Sequence, residues 1–281
     1  MQDDTVWSDQ PTTWVRSGEA ELAVTVVGDG IPLVALHAGV NDRRAWRRCA
    51  SRWADAGYRT VAYDRRGFGW TRYEAEQHDD LADLRAVTAA ADARPAVVVG
   101  NSMGGGLAVD LALAAPDDVL SLILIGALPS GAPGEAWVES EAEGAIMQLA
   151  MAAEQAGDLD TLNRLETHYW LDGPEQPEGR VQGPARELML DMNGRALRAQ
   201  PKGEAVSRPD AWPHLATLDI PTLVIVGEHD ERGLVPLSEL LVDAMPNATL
   251  VRLPSTAHCP SLDQPDALTD VTLTFLSELA R

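Results

Sequence analysis

Val97-Val98-Val99-Gly100-Asn101-Ser102-Met103-Gly104-Gly105-Gly106 decides how the rest of the chain is read. Its apolar half reads as a short buried strand, Ala96–Val99, and Met103–Ala115 behind it reads as a helix. A serine sits at the junction, with glycine two positions before and two after. So tight a turn leaves no space for Cβ atoms at the flanking positions, and it lifts Ser102 Oγ above the sheet edge over a helix N-terminus. This is what a nucleophile elbow requires. The rival reading is a glycine-rich turn used only for close helix packing.

A serine hydroxyl is a poor nucleophile without a base, and the base in turn requires an orienting acid. Six histidines are available: His37, His78, His168, His214, His229 and His258. His258 lies in Ser255-Thr256-Ala257-His258-Cys259-Pro260, after the last strand, in a loop that can return to the sheet edge where Ser102 emerges. It is the expected base. Asp230 closes Val224-Ile225-Val226-Gly227-Glu228-His229-Asp230, directly after the preceding strand, and is the expected acid. Glu228 would follow that strand too closely, and nothing acidic sits just after Ile125. His37 and His229 read as hydrogen-bonded structural imidazoles.

Outward from this point the chain alternates strands and helices. Glu21–Val27, Leu33–His37, Thr60–Tyr63 and Val119–Ile125 read as strands, with helices over Arg43–Asp55 and Asp79–Ala93. Strands return at Thr222–Val226 and Thr249–Leu253, with helices at Leu237–Ala244 and from Pro265 to about Glu278. Such alternation predicts an α/β fold with a mostly parallel central sheet flanked by helices. From about Leu128 to Trp212 no strand is convincing, and helical stretches are punctuated by glycine and proline. The expected organisation is an α/β core of residues 1–127 and 213–281, interrupted by a helical cap of residues 128–212.

Composition bounds the partners. Of 281 residues, 45% are hydrophobic and 23% charged, and no apolar run nears the ~18 residues of a membrane span. With 43 acidic against 22 basic side chains, the net charge of −21 repels nucleic acid and anionic membranes. The expected partner is therefore a small-molecule substrate. Lys202 is the sole lysine, a bias attributed to a GC-rich genome, with a salt-loving host as the rival explanation. Cys49 and Cys259 are too few for a disulfide framework and lack metal spacing, so neither metal nor cofactor is expected. Met1-Gln2-Asp3-Asp4 lacks the start of a signal peptide, which makes the cytoplasm the expected compartment.

The order Ser102, Asp230, His258 on this core resembles the α/β-hydrolase superfamily, in its lid-bearing branch of esterases, lactonases, perhydrolases and related lyases. The resemblance covers roughly residues 20 to 127 and 213 to 279. Leu36-His37-Ala38-Gly39-Val40, followed by Trp46, is similar to the family's loop after the third strand, with Ala38 where glycine is usual. By that likeness the N–H groups of Gly39 and Met103 form an oxyanion hole. Tyr63-Asp64-Arg65-Arg66-Gly67-Phe68-Gly69-Trp70-Thr71 resembles the family's Asp-x-Arg-Gly-x-Gly-x-Ser turn, with Thr71 for serine and a structural role.

The resemblance implies a serine hydrolase acting on a carboxylic ester or lactone through an acyl-enzyme. A serine at the elbow excludes the dehalogenases and epoxide hydrolases of this fold, which place aspartate there. Carbon–carbon bond hydrolases of ring-cleavage products remain an alternative. They carry a Ser-Gly-Pro-Gly-like loop and usually tryptophan after the histidine, where this chain has His37-Ala38-Gly39 and Cys259. A hydrolase-like receptor for a small ligand is the other alternative. Trp137, Met147, Met151, Tyr169, Trp170, Met189, Met192 and Trp212 are the large apolar residues of the cap, most of them serving its own core. Trp137, Trp170 and Trp212 are taken as substrate-binding candidates for a medium-sized, mostly apolar substrate. Arg43 and Arg44 are read as candidates for a substrate carboxylate, against the alternative of a solvated helix face.

Overall fold

The structure, a computed structural model, describes residues 10–279. Met1–Asp4, read above for targeting, lie outside the described residues. Eight strands form one sheet: β1 (Thr13–Ser17), β2 (Ala20–Val27), β3 (Ile31–Leu36), β4 (Tyr58–Tyr63), β5 (Ala96–Asn101), β6 (Val119–Ile125), β7 (Thr222–Gly227) and β8 (Ala248–Leu253). Their spatial order is β1-β2-β4-β3-β5-β6-β7-β8. β1 and β2 run antiparallel to their neighbours, and every pairing from β4 through β8 is parallel.

Buried parallel strands are apolar on both faces, and here each face has its own core. Val34, Val98, Leu122 and Val224 face one cluster, which includes Leu84 of α2 (Asp80–Ala90), Leu111 of α3 (Met103–Ala114) and Leu241 of α7 (Leu234–Ala244). Leu33, Val97, Val99, Ile123 and Ile225 face the other, with Trp53 of α1 (Arg47–Asp55) and Leu268 of α9 (Pro265–Leu279). Chain order reverses between β3 and β5, so the loops leaving those strands part and open a crevice at their carboxyl ends. Gly39 and Ser102 follow these two strands.

Between β6 and β7 the chain leaves the sheet for a helical insertion: α4 (Glu141–Ala156), α5 (Leu159–Thr167), a π-helical turn (His168–Asp172) and α6 (Pro184–Leu197). Ile146, Ala150, Ala153, Leu162, Leu165 and Tyr169 form its own small core. A further cluster, Ala45, Leu171, Met189, Met192, Cys259 and Leu262, joins it to the loops after β3 and β8. No described helix is long and apolar enough to cross a membrane.

Two elements differ from expectation. β1 was not anticipated: it is a five-residue edge strand in which only Val15 is buried, too little for a periodic signal. The helix expected from Arg43 is divided, with Asp42 accepting from Arg44 N to cap a 3₁₀ turn over Arg43–Trp46 before α1 begins.

Candidate active site

Ser102 joins β5 to α3 at φ 54° and ψ −118°, a left-handed strained conformation that non-glycine residues rarely adopt. Its N–H donates to Ile125 O at 2.8 Å, and its carbonyl accepts from Gly105 N and Gly106 N. A Cβ on Gly100 would lie 2.4 Å from Gly104 O, and one on Gly104 would lie 2.3 Å from Leu36 O. Both glycines are therefore steric requirements of this turn. Met103 opens α3, and the first N–H groups of a helix have no intrahelical acceptor. Gly39 approaches it so closely that an added Cβ would lie 2.6 Å from Met103 Sδ.

Asp230 and His258 come together although 28 residues separate them. His258 Nδ1 is 2.9 Å from Asp230 Oδ1 and 3.2 Å from Oδ2, with both side chains buried. Burial by itself would lower the imidazole pKa, but the charge and hydrogen bond of Asp230, with Glu231 behind it, hold it above the ordinary histidine value. Asn101 Nδ2 donates to both Ile125 O and His258 O at 3.1 Å, tying the serine turn to the histidine loop. A Cβ on Gly126 would come within 3.0 Å of the His258 ring. Asn101 and Gly126 escaped the sequence reading, because nothing in their spacing distinguishes them from ordinary strand ends.

The competing residues have other partners. Glu228 accepts from Ser255 N at 3.4 Å. His37 is buried, with Nδ1 2.7 Å from Ala38 O and Nε2 accepting from Arg65 N at 3.1 Å; burial first, then the Arg65 charge, lowers its pKa well below the usual value. Cys259 is buried against Asn41, whose Nδ2 lies 3.4 Å from its sulfur, and burial pushes the thiol up to about 12. That is a packing cysteine, as a nucleophile would require a depressed pKa.

The insertion reaches the site through its π turn. The Trp170 ring lies 4.6 Å, centroid to centroid, from the His258 ring. Tyr169 OH donates to Glu231 Oε1 at 2.9 Å, and Glu231 N donates to Asp230 Oδ1 at 2.9 Å. Glu231 was not singled out from the sequence; its adjacency to Asp230 was the one available signal.

Four expected substrate-binding residues have other settings. Arg43 is fully buried, its Nη1 2.7 Å from Asp64 Oδ2 and its Nε donating to Thr25 Oγ1. Arg44 holds Asp42 through Nε and Nη2 and reaches Asp191 at 2.7 Å. Neither the carboxylate-binding nor the solvated reading describes them: both guanidiniums are desolvated and matched to internal carboxylates. Trp212 packs, half-buried, on the core cluster of the sheet. Trp137, in the segment before α4, packs against Gly233 of the loop after Asp230, where an added Cβ would be 2.6 Å from its ring. Thr71 donates to Asp64 O at 2.5 Å and accepts from Ala23 N, a structural closure of its turn.

A cavity of about 290 Å³ opens beside Gly39, lined by Val40, Phe68, Glu166, Asn193, Leu197 and Lys202 among others. A larger cleft of about 780 Å³ between Gly67–Glu74 and α6 shares Phe68 with that cavity and includes Thr71 and Asp191, but not Ser102, Asp230 or His258. Among the described residues, Asp230, Glu231 and His258 bring metal-ligand-type atoms within 4.8 Å of one another. Their hydrogen bonds to each other and to Tyr169 account for that proximity.

Comparison with known proteins places this geometry in a family. A 2-hydroxy-6-oxononadienedioate/2-hydroxy-6-oxononatrienedioate hydrolase of Comamonas testosteroni is 29% identical over 262 residues, 89% of this chain and 89% of its own. A non-heme chloroperoxidase of Streptomyces lividans is 28% identical, covering 88% of this chain and 92% of its own. An esterase from Rhodococcus sp. ECU1013 superposes with a TM-score of 0.74 at 28% identity, covering 95% of this chain and 98% of the esterase. The sequence pattern of the alpha/beta hydrolase family runs through residues 33–271, from the strand before the Gly39 loop into the last helix, and the chain belongs to that family.

Proposed function

We propose that the protein is a serine hydrolase that cleaves a carboxylic ester or lactone of a small to medium, mostly apolar substrate through an acyl-enzyme. The observation that carries this reading is the buried 2.9 Å contact between His258 Nδ1 and Asp230 Oδ1, tied through Asn101 to the strained turn that carries Ser102. Asp230 fixes the imidazole tautomer, leaving Nε2 to take the Ser102 proton as Oγ attacks the substrate carbonyl. The N–H groups of Gly39 and Met103 stabilise the oxyanion. His258 then protonates the departing alkoxide, and a water deprotonated by the same nitrogen releases the acid and restores Ser102. In this reading residues 128–212 are a cap over a core of residues 1–127 and 213–281, with Trp170 at the boundary of the pocket.

The test is turnover of p-nitrophenyl esters from acetate to decanoate. Ser102→Ala should lower kcat by roughly 10⁶-fold while circular dichroism stays native. Undiminished turnover in that variant would remove the covalent mechanism. The 29% identity to a hydrolase named for 2-hydroxy-6-oxononadienedioate favours one second reading, carbon–carbon bond hydrolysis. Faster turnover of such a dienedioate than of any ester in the series would establish it instead.

A further inference from the structure

Three observations converge behind His258. First, Asp230 Oδ1, the carboxylate oxygen nearer His258 Nδ1, also accepts from the backbone N–H of Glu231 at 2.9 Å. Second, the Glu231 side chain does not turn to solvent: it is buried, within 4.8 Å of the Asp230 and His258 ligand-type atoms, and accepts from Tyr169 OH at 2.9 Å. Third, Tyr169 and Trp170 are adjacent on the π turn of the insertion, and both reach this spot, one at Glu231 and the other at the imidazole ring. A π turn re-aims successive side chains relative to an α-helix, and such turns recur at functional sites.

We propose that Glu231 and Tyr169 form a positioning pair through which the helical insertion sets the basicity of His258. The inference rests on the acyl-transfer reading above and names what tunes its base. A carboxylate facing the imidazole favours the imidazolium that forms as Ser102 gives up its proton. The phenol holds that carboxylate in place, so the insertion contributes to proton transfer as well as shaping the pocket.

The charged surroundings give the sign of the pH dependence. Asp230 precedes Glu231 in the chain, His258 faces it from the loop after β8, Tyr169 faces it from the π turn, and the buried Glu143 approaches from α4, where it accepts from Arg232 N at 2.6 Å. The Arg232 guanidinium lies 4.0 Å from the exposed Glu175. Burial, with the charges of Asp230 and Glu143, pushes Glu231 up to about 7, against the lowering effects of His258 and Tyr169. Above that pH Glu231 is charged and supports the imidazolium. As pH falls through it, Glu231 takes up a proton and the support is withdrawn, so His258 and Glu231 titrate as a coupled pair.

The experiment is the pH profile of kcat/KM for ester hydrolysis by the wild-type protein, Glu231→Gln and Tyr169→Phe, with thermal unfolding measured alongside. The wild-type acid limb should be shallower than a single ionisation. Glu231→Gln should steepen it to one ionisation and move its midpoint down by about one pH unit, with a several-fold lower plateau. Tyr169→Phe removes a donor from the carboxylate, raises the Glu231 pKa and should move the limb the same way by less. An acid limb unchanged in midpoint and steepness in both variants would overturn the proposal, whatever the plateau does. Should Glu231→Gln fail to fold, Tyr169→Phe alone decides, through a downward or an unmoved limb. Failure of the acyl-transfer reading shows separately, as turnover that survives Ser102→Ala.

Discussion

Among the arginine–aspartate contacts that fasten the insertion to the core, Arg44–Asp191 and Arg180–Asp263 are built in opposite senses. On the Gly39 side the arginine belongs to the core: Arg44 grips its own loop through Asp42 and reaches up to Asp191 on α6. On the His258 side the arginine belongs to the insertion. Arg180 donates to Leu171 O and Asp172 O within its own segment, then crosses to Ser255 O and Asp263. Asp263 ends α8 (Pro260–Asp263), is almost fully buried, and also accepts from Ala257 N, the residue before His258. Asp191 is nearly half exposed and is shared with Arg195. The polar contacts of the first loop are therefore largely internal, with one exposed partner from the insertion. The second depends on it.

That asymmetry orders the expected effects of substitution. Asp263→Ala should cost the most, about 3 kcal/mol in urea unfolding, because it strands a largely buried guanidinium and frees Ala257 N. The same release of the His258 loop should lower kcat at least tenfold. Arg180→Lys keeps the charge but loses the forked geometry and most of the carbonyl contacts, and should cost about 1–2 kcal/mol with a smaller loss of kcat. Asp191→Asn should change stability by less than about 1 kcal/mol and leave kcat nearly untouched, since an exposed pair contributes little and Arg44 retains Asp42. Equal losses for Asp263→Ala and Asp191→Asn would mean that the two contacts do the same job.

What the chain discloses beforehand follows the range of each interaction. Strand and helix periodicity is local, so seven of the eight strands and the serine turn could be read directly, and the positions of Asp230 and His258 just after strands could be inferred from topology. Arg43 and Arg44 show the limit. A run of arginines in an acidic protein looks like a solvated face, and only the folded chain brings Asp64, 21 positions on, against Arg43 Nη1. The Tyr169–Glu231 contact spans 62 positions and arises from a turn whose π geometry has no compositional mark. The same holds for Arg180 and Asp263, 83 positions apart. Contacts between insertion and core are the least legible part of the molecule because neither segment has a periodicity that anticipates the other.

The insertion leaves from β6 and returns at β7, which are immediate neighbours in parallel register, with Ile125 paired to Ile225. The sheet therefore closes on itself whatever length of chain is spliced between those two positions. The junction is thus a socket in the sheet, at which a contiguous segment can be exchanged without changing the β6–β7 pairing. The socket is not blank, however. Its rim carries one fixed requirement: a replacement segment inherits the Asp263 carboxylate beside the His258 loop, and one that offers no arginine there leaves that buried carboxylate without its cation.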